Sequence, residues 1–124
     1  MENYKCFITI DNRTPKHLRF QKQDIPWGRF DEGPEKDIMP KTVKRAFVAC
    51  GNPGLAGTEG TVWYQLDDDA NKTITIYFDI PTTRPDNTVT PDTSDPNLLA
   101  VRSGFNGKGN VEEITVRVGW IGGE

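Results

Sequence analysis

Glu59 is the side chain in this sequence best placed to do chemistry, because it is the one carboxylate in the glycine-dense stretch 49–64. It stands in Gly57-Thr58-Glu59-Gly60-Thr61, immediately before the aromatic run Val62-Trp63-Tyr64. Glycines at this density supply the positive φ of tight turns and let backbone approach a ligand where a Cβ would clash. A carboxylate held there can accept a hydrogen bond from a hydroxyl, an amide or an ammonium group. Glycoside hydrolysis would need a second carboxyl about 5–9 Å away, and the sequence selects no partner for Glu59. His17 is the only histidine, so neither a histidine-based triad nor a multi-histidine zinc site can be assembled within the chain. It lies among Lys16 and Arg19 at an expected strand start, where a surface role is the simple reading. Cys6 and Cys50 have no metal or redox spacing and leave two readings open, a pair of buried reduced thiols or a single disulfide. Asp67-Asp68-Asp69 lacks the ligand spacing of a calcium-binding helix-loop-helix and reads as a solvated turn. The expectation is a protein that is not an enzyme, that calls for no cofactor and no metal, and that works by binding a surface.

The aromatic residues suit such a surface. Indole and phenol rings combine an apolar body with a hydrogen-bonding edge, which fits them to an interface that is dry on one side and wet on the other. In residues 62–66, alternation puts Val62, Tyr64 and Leu66 on one face and Trp63 with Gln65 on the other. If the Val62 face is buried, Trp63 is the aromatic least easily assigned to a core. Trp27-Gly28-Arg29-Phe30 follows Ile25-Pro26. An aromatic beside a cation there could meet a phosphate-bearing or choline headgroup through charge and cation–π contact, and a tryptophan plugging the end of a sandwich is the plainer alternative. Arg13, Lys16, Arg19 and Lys22 could add attraction to anionic lipid, with a solubilising surface as the plainer reading of such scattered charge.

The elements that must position these residues have a period of two. Residues 74, 76, 78 and 80 are apolar against Thr75, Tyr77 and Asp79, the pattern of a half-buried strand. Ile114, Val116, Val118 and Trp120 repeat it, as do Cys6, Ile8 and Ile10. Further strands are expected over 18–22, 43–50, 62–66 and 98–104, with residues 67–72 as a hairpin connection. Nine prolines are spread along the chain and no apolar stripe of helical period lasts three turns, so no helix is expected. Short strands separated by Asn, Asp, Gly and Pro read as an all-β sandwich or barrel. Residues 81–96 carry four prolines and no periodicity, and are expected to be an ordered loop that is functional or mobile. The last three residues, Gly122-Gly123-Glu124, read as a fraying tail.

Size and charge bound the rest. At 124 residues the chain is expected to form one domain, 1–124, that buries about 65% of its unfolded surface. The net charge of −3 divides unevenly, +2 over residues 1–62 and −5 over residues 63–124. No concentrated basic face is implied, and nucleic acid is not an expected partner. No apolar run approaches the roughly 18 residues of a membrane span, and no secretory signal is visible at the start. Asn12-Arg13-Thr14 and Asn71-Lys72-Thr73 match the glycosylation pattern and read as turns.

Four segments together resemble the aegerolysin family: Ile8-Thr9-Ile10-Asp11-Asn12, Trp27-Gly28-Arg29-Phe30, Gly57-Thr58-Glu59-Gly60-Thr61 and Ile76-Tyr77-Phe78-Asp79-Ile80-Pro81. They occur in the family's order and spacing. Within the family the likeness is nearest to the fourteen-kilodalton component of bacterial binary insecticidal crystal toxins, which has a Phe-Val-Ala strand like Phe47-Val48-Ala49. The likeness covers residues 4 to about 83, and beyond that only a glycine-rich turn and a final alternating strand. Fungal members carry tryptophans where this chain has Cys6 and, in the last segment, Phe78 and Thr82, which places it closer to the insecticidal subgroup. The resemblance implies an actinoporin-like β-sandwich of two antiparallel sheets that binds membrane lipid. It also implies a pore-forming toxin component acting on insect gut epithelial membranes, with a larger second toxin protein and with homo-oligomers as a further option. A chain made without a signal peptide, stored in bacterial crystalline inclusions and acting extracellularly, is the matching localisation. Carried onto this sequence, the family's tryptophan before glycine is Trp27, its lipid-contacting glutamate is Glu59 and its strand-end aromatic is Phe78. With Arg29, Phe30, Trp63 and Tyr77 these form the expected lipid-binding set. A carbohydrate-binding module or a non-toxic lipid-binding protein is the alternative.

Overall fold

The computed structural model describes residues 4–52 and 57–122. Ten strands follow in order: β1 (Lys5–Asn12), β2 (Leu18–Trp27), β3 (Arg29–Glu32), β4 (Asp37–Ile38), β5 (Thr42–Cys50), β6 (Thr58–Leu66), β7 (Asp69–Ile80), β8 (Thr88–Thr93), β9 (Leu98–Ser103) and β10 (Val111–Trp120). They form two five-stranded sheets. Sheet A has the order β3-β5-β1-β10-β9 and sheet B the order β4-β2-β6-β7-β8. The fold is all-β, as expected. Every pairing is antiparallel except that of β1 with β10, which runs parallel with Ile8 opposite Ile114. That exception joins the first strand to the last in the middle of sheet A.

The alternation of the sequence reappears as alternation of burial. In β6 the residues Thr58, Gly60, Val62, Tyr64 and Leu66 point inward, and in β7 Ile74, Ile76, Phe78 and Ile80 do the same. Their counterparts in sheet A are Cys6, Ile8 and Ile10 of β1 and Ile114, Val116 and Val118 of β10. The centre of the core is aromatic. Phe47 and Phe78 lie 5.6 Å apart between ring centroids, Phe30 packs edge-on against both, and Tyr64 places its buried hydroxyl on the Glu35 carbonyl at 2.7 Å. A hydroxyl buried without that acceptor would cost about 1–3 kcal/mol.

Three departures from the sequence reading have physical causes. β2 runs on to Trp27, past the expected end at Lys22, and its register shifts twice, between Phe20 and Lys22 and between Asp24 and Trp27. Each bulge resets the face on which side chains fall, which erased the period of two. Residues 81–96 are not a loop throughout, because β8 lies within them and pairs with β7 at the edge of sheet B. Pro91 is tolerated there since an edge strand has one side without a ladder to donate to, and Val89 supplies the one fully buried side chain of that strand. The short strands β3 and β4 carried no pattern long enough to read.

Cys6 opposes Ala49 on β5, whereas Cys50 opposes Lys5. Neighbouring positions on a strand point to opposite faces, so the two thiols face away from each other and both are free and buried. Burial, with the Glu112 carboxylate nearby, pushes the Cys6 thiol far above its usual range, which keeps it protonated and inert. The hairpin at Asp67-Asp68 is a two-residue turn with Asp67 at φ 53°. Its carboxylates approach Lys16 and Arg19, and Asp69 holds Lys72 at 3.1 Å. Among the described residues no group of three or more His, Cys, Asp or Glu side chains is arranged to hold a metal ion. Of the glycine-dense stretch, residues 53–56 lie outside the described residues, as do the last two of the expected tail.

Phe78 is fully buried at the meeting point of the two sheets. Phe78→Ala is expected to destabilise the fold by about 3–5 kcal/mol in urea unfolding monitored by circular dichroism. A loss below 1 kcal/mol would show that the side chain is not part of the core.

Candidate functional site

The inward packing of β6 and β7 fixes what the outer face of sheet B presents. Glu59 lies opposite Asp79, Thr61 opposite Tyr77, and Trp63 opposite Thr75. On the other flank β2 sets Trp27 against Glu59 and Lys22 against Trp63. Cross-strand partners share a face with Cβ atoms about 4.5–5.5 Å apart, so one register brings together an indole, two carboxylates and a phenol.

Two glycines make this arrangement possible. Gly60 faces the core between Glu59 and Thr61, and a Cβ there would meet the Asp24 carbonyl at 2.8 Å and the Phe78 ring at 3.0 Å. Its bareness lets β2 close against β6. Gly28, at φ 93°, turns the chain from β2 in sheet B to β3 in sheet A, and a Cβ would lie 2.4 Å from the Cys50 carbonyl. That turn leaves Trp27 at the sheet end, 61% exposed, while Thr58 Oγ1 donates to the Trp27 carbonyl at 3.1 Å.

Hydrogen bonding knits the centre of the face. Tyr77 donates its hydroxyl to Glu59 Oε2 at 2.6 Å, and Arg84, from the loop before β8, reaches Asp79 Oδ2. Desolvation, then the hydrogen bond to Glu59 and the neighbouring carboxylates, hold the Tyr77 hydroxyl far above its usual range. It is therefore a fixed donor at neutral pH. Asp79, only 14% exposed, is raised above the ordinary aspartate value by desolvation first and by Glu59 second, against the pull of Arg84. The guanidinium meets Asp79 and the phenol meets Glu59, so two carboxylates face one cation and the cluster keeps an excess of acceptors. It can take a hydroxyl, amide or ammonium donor from a ligand. Along the same face Lys22 Nζ sits 4.7 Å from the centroid of the Trp63 ring, a cation–π contact that orients the indole.

Of the residues expected from the sequence, Trp27, Glu59 and Tyr77 come together here, and Trp63 stands further along the same face. Phe78 does not. It points inward from β7 into the aromatic core, so its place in the expected lipid-binding set is corrected to a structural one. Phe30 packs edge-on against Phe47 and Phe78 at the margin of that core. Arg29 lies on sheet A with Nη1 donating to the Gly51 carbonyl at 3.0 Å. Asp79 and Arg84 are not among the residues expected from the sequence, and Lys22 is expected there only as one of four scattered cations. Parity with Tyr77 carried a signal for Asp79, whereas Arg84 depends on a loop fold that no pattern encodes.

The family model described as Aegerolysin matches residues 5–121. The chain belongs to the aegerolysin family. Among solved structures, this aegerolysin is similar to the RahU protein in complex with a TRIS molecule, at 17% identity and TM-score 0.70, with 99% of this chain and 98% of that one covered. It is also similar to the lipid-binding protein Nakanori, at 16% identity and TM-score 0.78, covering 95% of this chain and 72% of that one. IP-1A from Alcaligenes faecalis aligns at 20% identity and TM-score 0.69, covering 97% and 93%. At these identities the likeness establishes the fold. No curated protein matches the sequence.

The raised Asp79 gives a pH prediction. A carboxyl whose folded value lies above its unfolded one adds stability when protonated and loses that contribution as pH rises through the folded value. Wild-type stability relative to Asp79→Asn is thus expected to fall as pH climbs from below 3.8 through the raised value of Asp79. Urea unfolding of both proteins across the acidic range measures this. A difference that stays flat with pH would contradict the environment assigned to Asp79.

Proposed function

We propose that this aegerolysin binds membrane lipid with the outer face of sheet B at its Trp27–Glu59–Tyr77 end. The observation that carries the reading is the exposed indole of Trp27 standing directly across from a carboxylate that Tyr77 holds by hydrogen bond. An indole at the rim can enter the headgroup layer while Glu59 and Asp79 accept hydrogen bonds from the polar part of a lipid. The arrangement supports binding: two carboxylates, a phenol and a guanidinium form a polar cluster directly beside an exposed indole. Trp63 and Lys22 extend the same face and would widen the contact.

The finer reading is a pore-forming toxin component acting on insect gut epithelial membranes together with a larger second protein. Its support is the resemblance of the four motif segments, in order and spacing, to those of the insecticidal subgroup. Storage in bacterial crystalline inclusions and extracellular action belong to the same proposal. No helix among the described residues is long and apolar enough to cross a membrane. In this reading the second protein supplies most of the pore, or the hairpin of β6 and β7 rearranges.

Co-sedimentation with protein-free liposomes of insect midgut lipid, beside plain phosphatidylcholine liposomes, tests the proposal. Selective pelleting with midgut lipid is expected. Absence of pelleting with either, alongside retention on a glycan matrix, would replace lipid with carbohydrate. Glu59→Ala and Trp27→Ala are each expected to weaken liposome affinity about tenfold, equivalent to about 1.4 kcal/mol. The exposed Trp27→Ala change should leave unfolding stability within about 0.5 kcal/mol. Unchanged affinity in both variants would remove the site.

A further inference from the structure

Two sheets of five strands leave four edges, and three of them are protected against pairing with another strand. β3 carries Asp31 and Glu32 with a register shift between Phe30 and Glu32, β4 is two residues long, and β8 contains Pro91 and Asp92. Charges, bulges, proline and shortness are the usual defences of an exposed edge. β9 has only one of them, a single charge. Its six residues, Leu98 to Ser103, include no proline, glycine, lysine or acid, and its pairing with β10 runs without a shift. The one charge on it, Arg102, is folded back against the body, with its guanidinium 3.9 Å from the Phe105 ring centroid and Nη1 donating to the Val89 carbonyl at 2.6 Å.

The same edge gathers apolar surface. Leu99 and Val101, 43% and 62% exposed, point outward from sheet A, opposite Gly119 and Arg117 of β10. Ile121, 65% exposed, continues that face one step beyond Gly119, with its backbone N–H on the Asn97 carbonyl. A Cβ at Gly119 would meet nothing within 4 Å, so the three side chains surround a bare spot. Arg117 leans the other way, its Nε 3.7 Å from Asp11. Three of the seven large exposed hydrophobics among the described residues lie at this one edge, which marks it as a surface made to be covered.

We propose that β9 is the docking edge for a second copy of this chain, paired antiparallel through a two-fold axis at Ala100. The strand is complementary to itself in that register. Leu99 of each copy comes opposite Val101 of the other, so both apolar pairs close on the outer face and sheet A becomes a ten-stranded sheet. A two-fold axis between paired edge strands stands normal to the sheet. It therefore leaves sheet B of both copies on the same side, and the two Glu59 clusters face the same way. Taken with the lipid-binding reading, which the dimer itself does not require, this makes a bivalent membrane-binding unit whose second contact is intramolecular.

Cross-linking and sedimentation of the full chain, with no lipid present, test the dimer. In the proposed register residues 99 and 101 of different copies are about 4.5–5.5 Å apart, within disulfide reach, whereas residue 99 is too far from residue 99 and residue 101 too far from residue 101. Oxidising an equal mixture of Leu99→Cys and Val101→Cys is expected to give a disulfide-linked dimer on a non-reducing gel, and either variant alone is expected to stay monomeric there. Sedimentation velocity of the wild type should show growth toward the two-chain mass with concentration. Val101→Lys should stay at the one-chain mass, and Val43→Lys, an exposed change on β5, should behave as the wild type. A wild type that keeps the one-chain mass at every concentration, or cross-linking equal in all three oxidations, would overturn the proposal. Because no lipid enters these assays, their failure leaves the lipid-binding reading untouched.

Discussion

The register between β6 and β7 is the constraint on which the rest of the structure depends. Nine consecutive residues of β6 alternate in and out against β7, and a slip of one residue would exchange the two faces. With β7 shifted, Phe78 would leave the aromatic core and Tyr77 would be driven into it, away from Glu59. The interior resists this strongly, since each large apolar side chain buried contributes roughly 1.5–3 kcal/mol. The binding face is thus held in place by the packing behind it. Gly60 connects the two, because its missing side chain admits the Phe78 ring on one side while its neighbour Glu59 faces out on the other.

Electrostatics on that face follow from the same register. Directly opposed carboxylates such as Glu59 and Asp79 repel, and the fold answers with one guanidinium and one phenol rather than with a full set of cations. What results is a partly desolvated cluster with unspent acceptor capacity beside an exposed indole. The loop that brings Arg84 is itself tied down nearby. Glu112, buried in β10, accepts from the Asn87 side chain and from the backbone of Asn106 and Gly107, and Lys108 meets Asp86. A buried carboxylate satisfied by three donors is an effective pin for two loops at once.

Much of this was legible from residue order. Strands β1, β7 and β10 are regular enough that alternation alone gave their inward faces, in β6 it divided Val62, Tyr64 and Leu66 from Trp63 and Gln65, and the glycines around Glu59 marked it before any fold was known. Parity also placed Phe78 inward, and only the carry-over from a family motif assigned it to the surface. The structure sides with parity. What could not be read has a common cause, since β2 hides its period behind two bulges, β8 has a single buried side chain, and Arg84 acts through a loop. In each case the information lies in contacts between distant segments rather than in a local repeat. The thiols are a simpler case: spacing left disulfide and free cysteines open, and the pairing of β1 with β5 decides for two free thiols facing opposite ways.

The central claim is that the Trp27 end of sheet B meets the membrane, and depth-dependent quenching tests it most directly. With Trp63 and Trp120 replaced by phenylalanine, Trp27 becomes the only indole, and its fluorescence can be followed on vesicles whose lipids carry bromine along the acyl chain. The account predicts a blue shift on binding and strong quenching by bromines near the headgroup. Binding that leaves Trp27 emission unshifted and unquenched would contradict it.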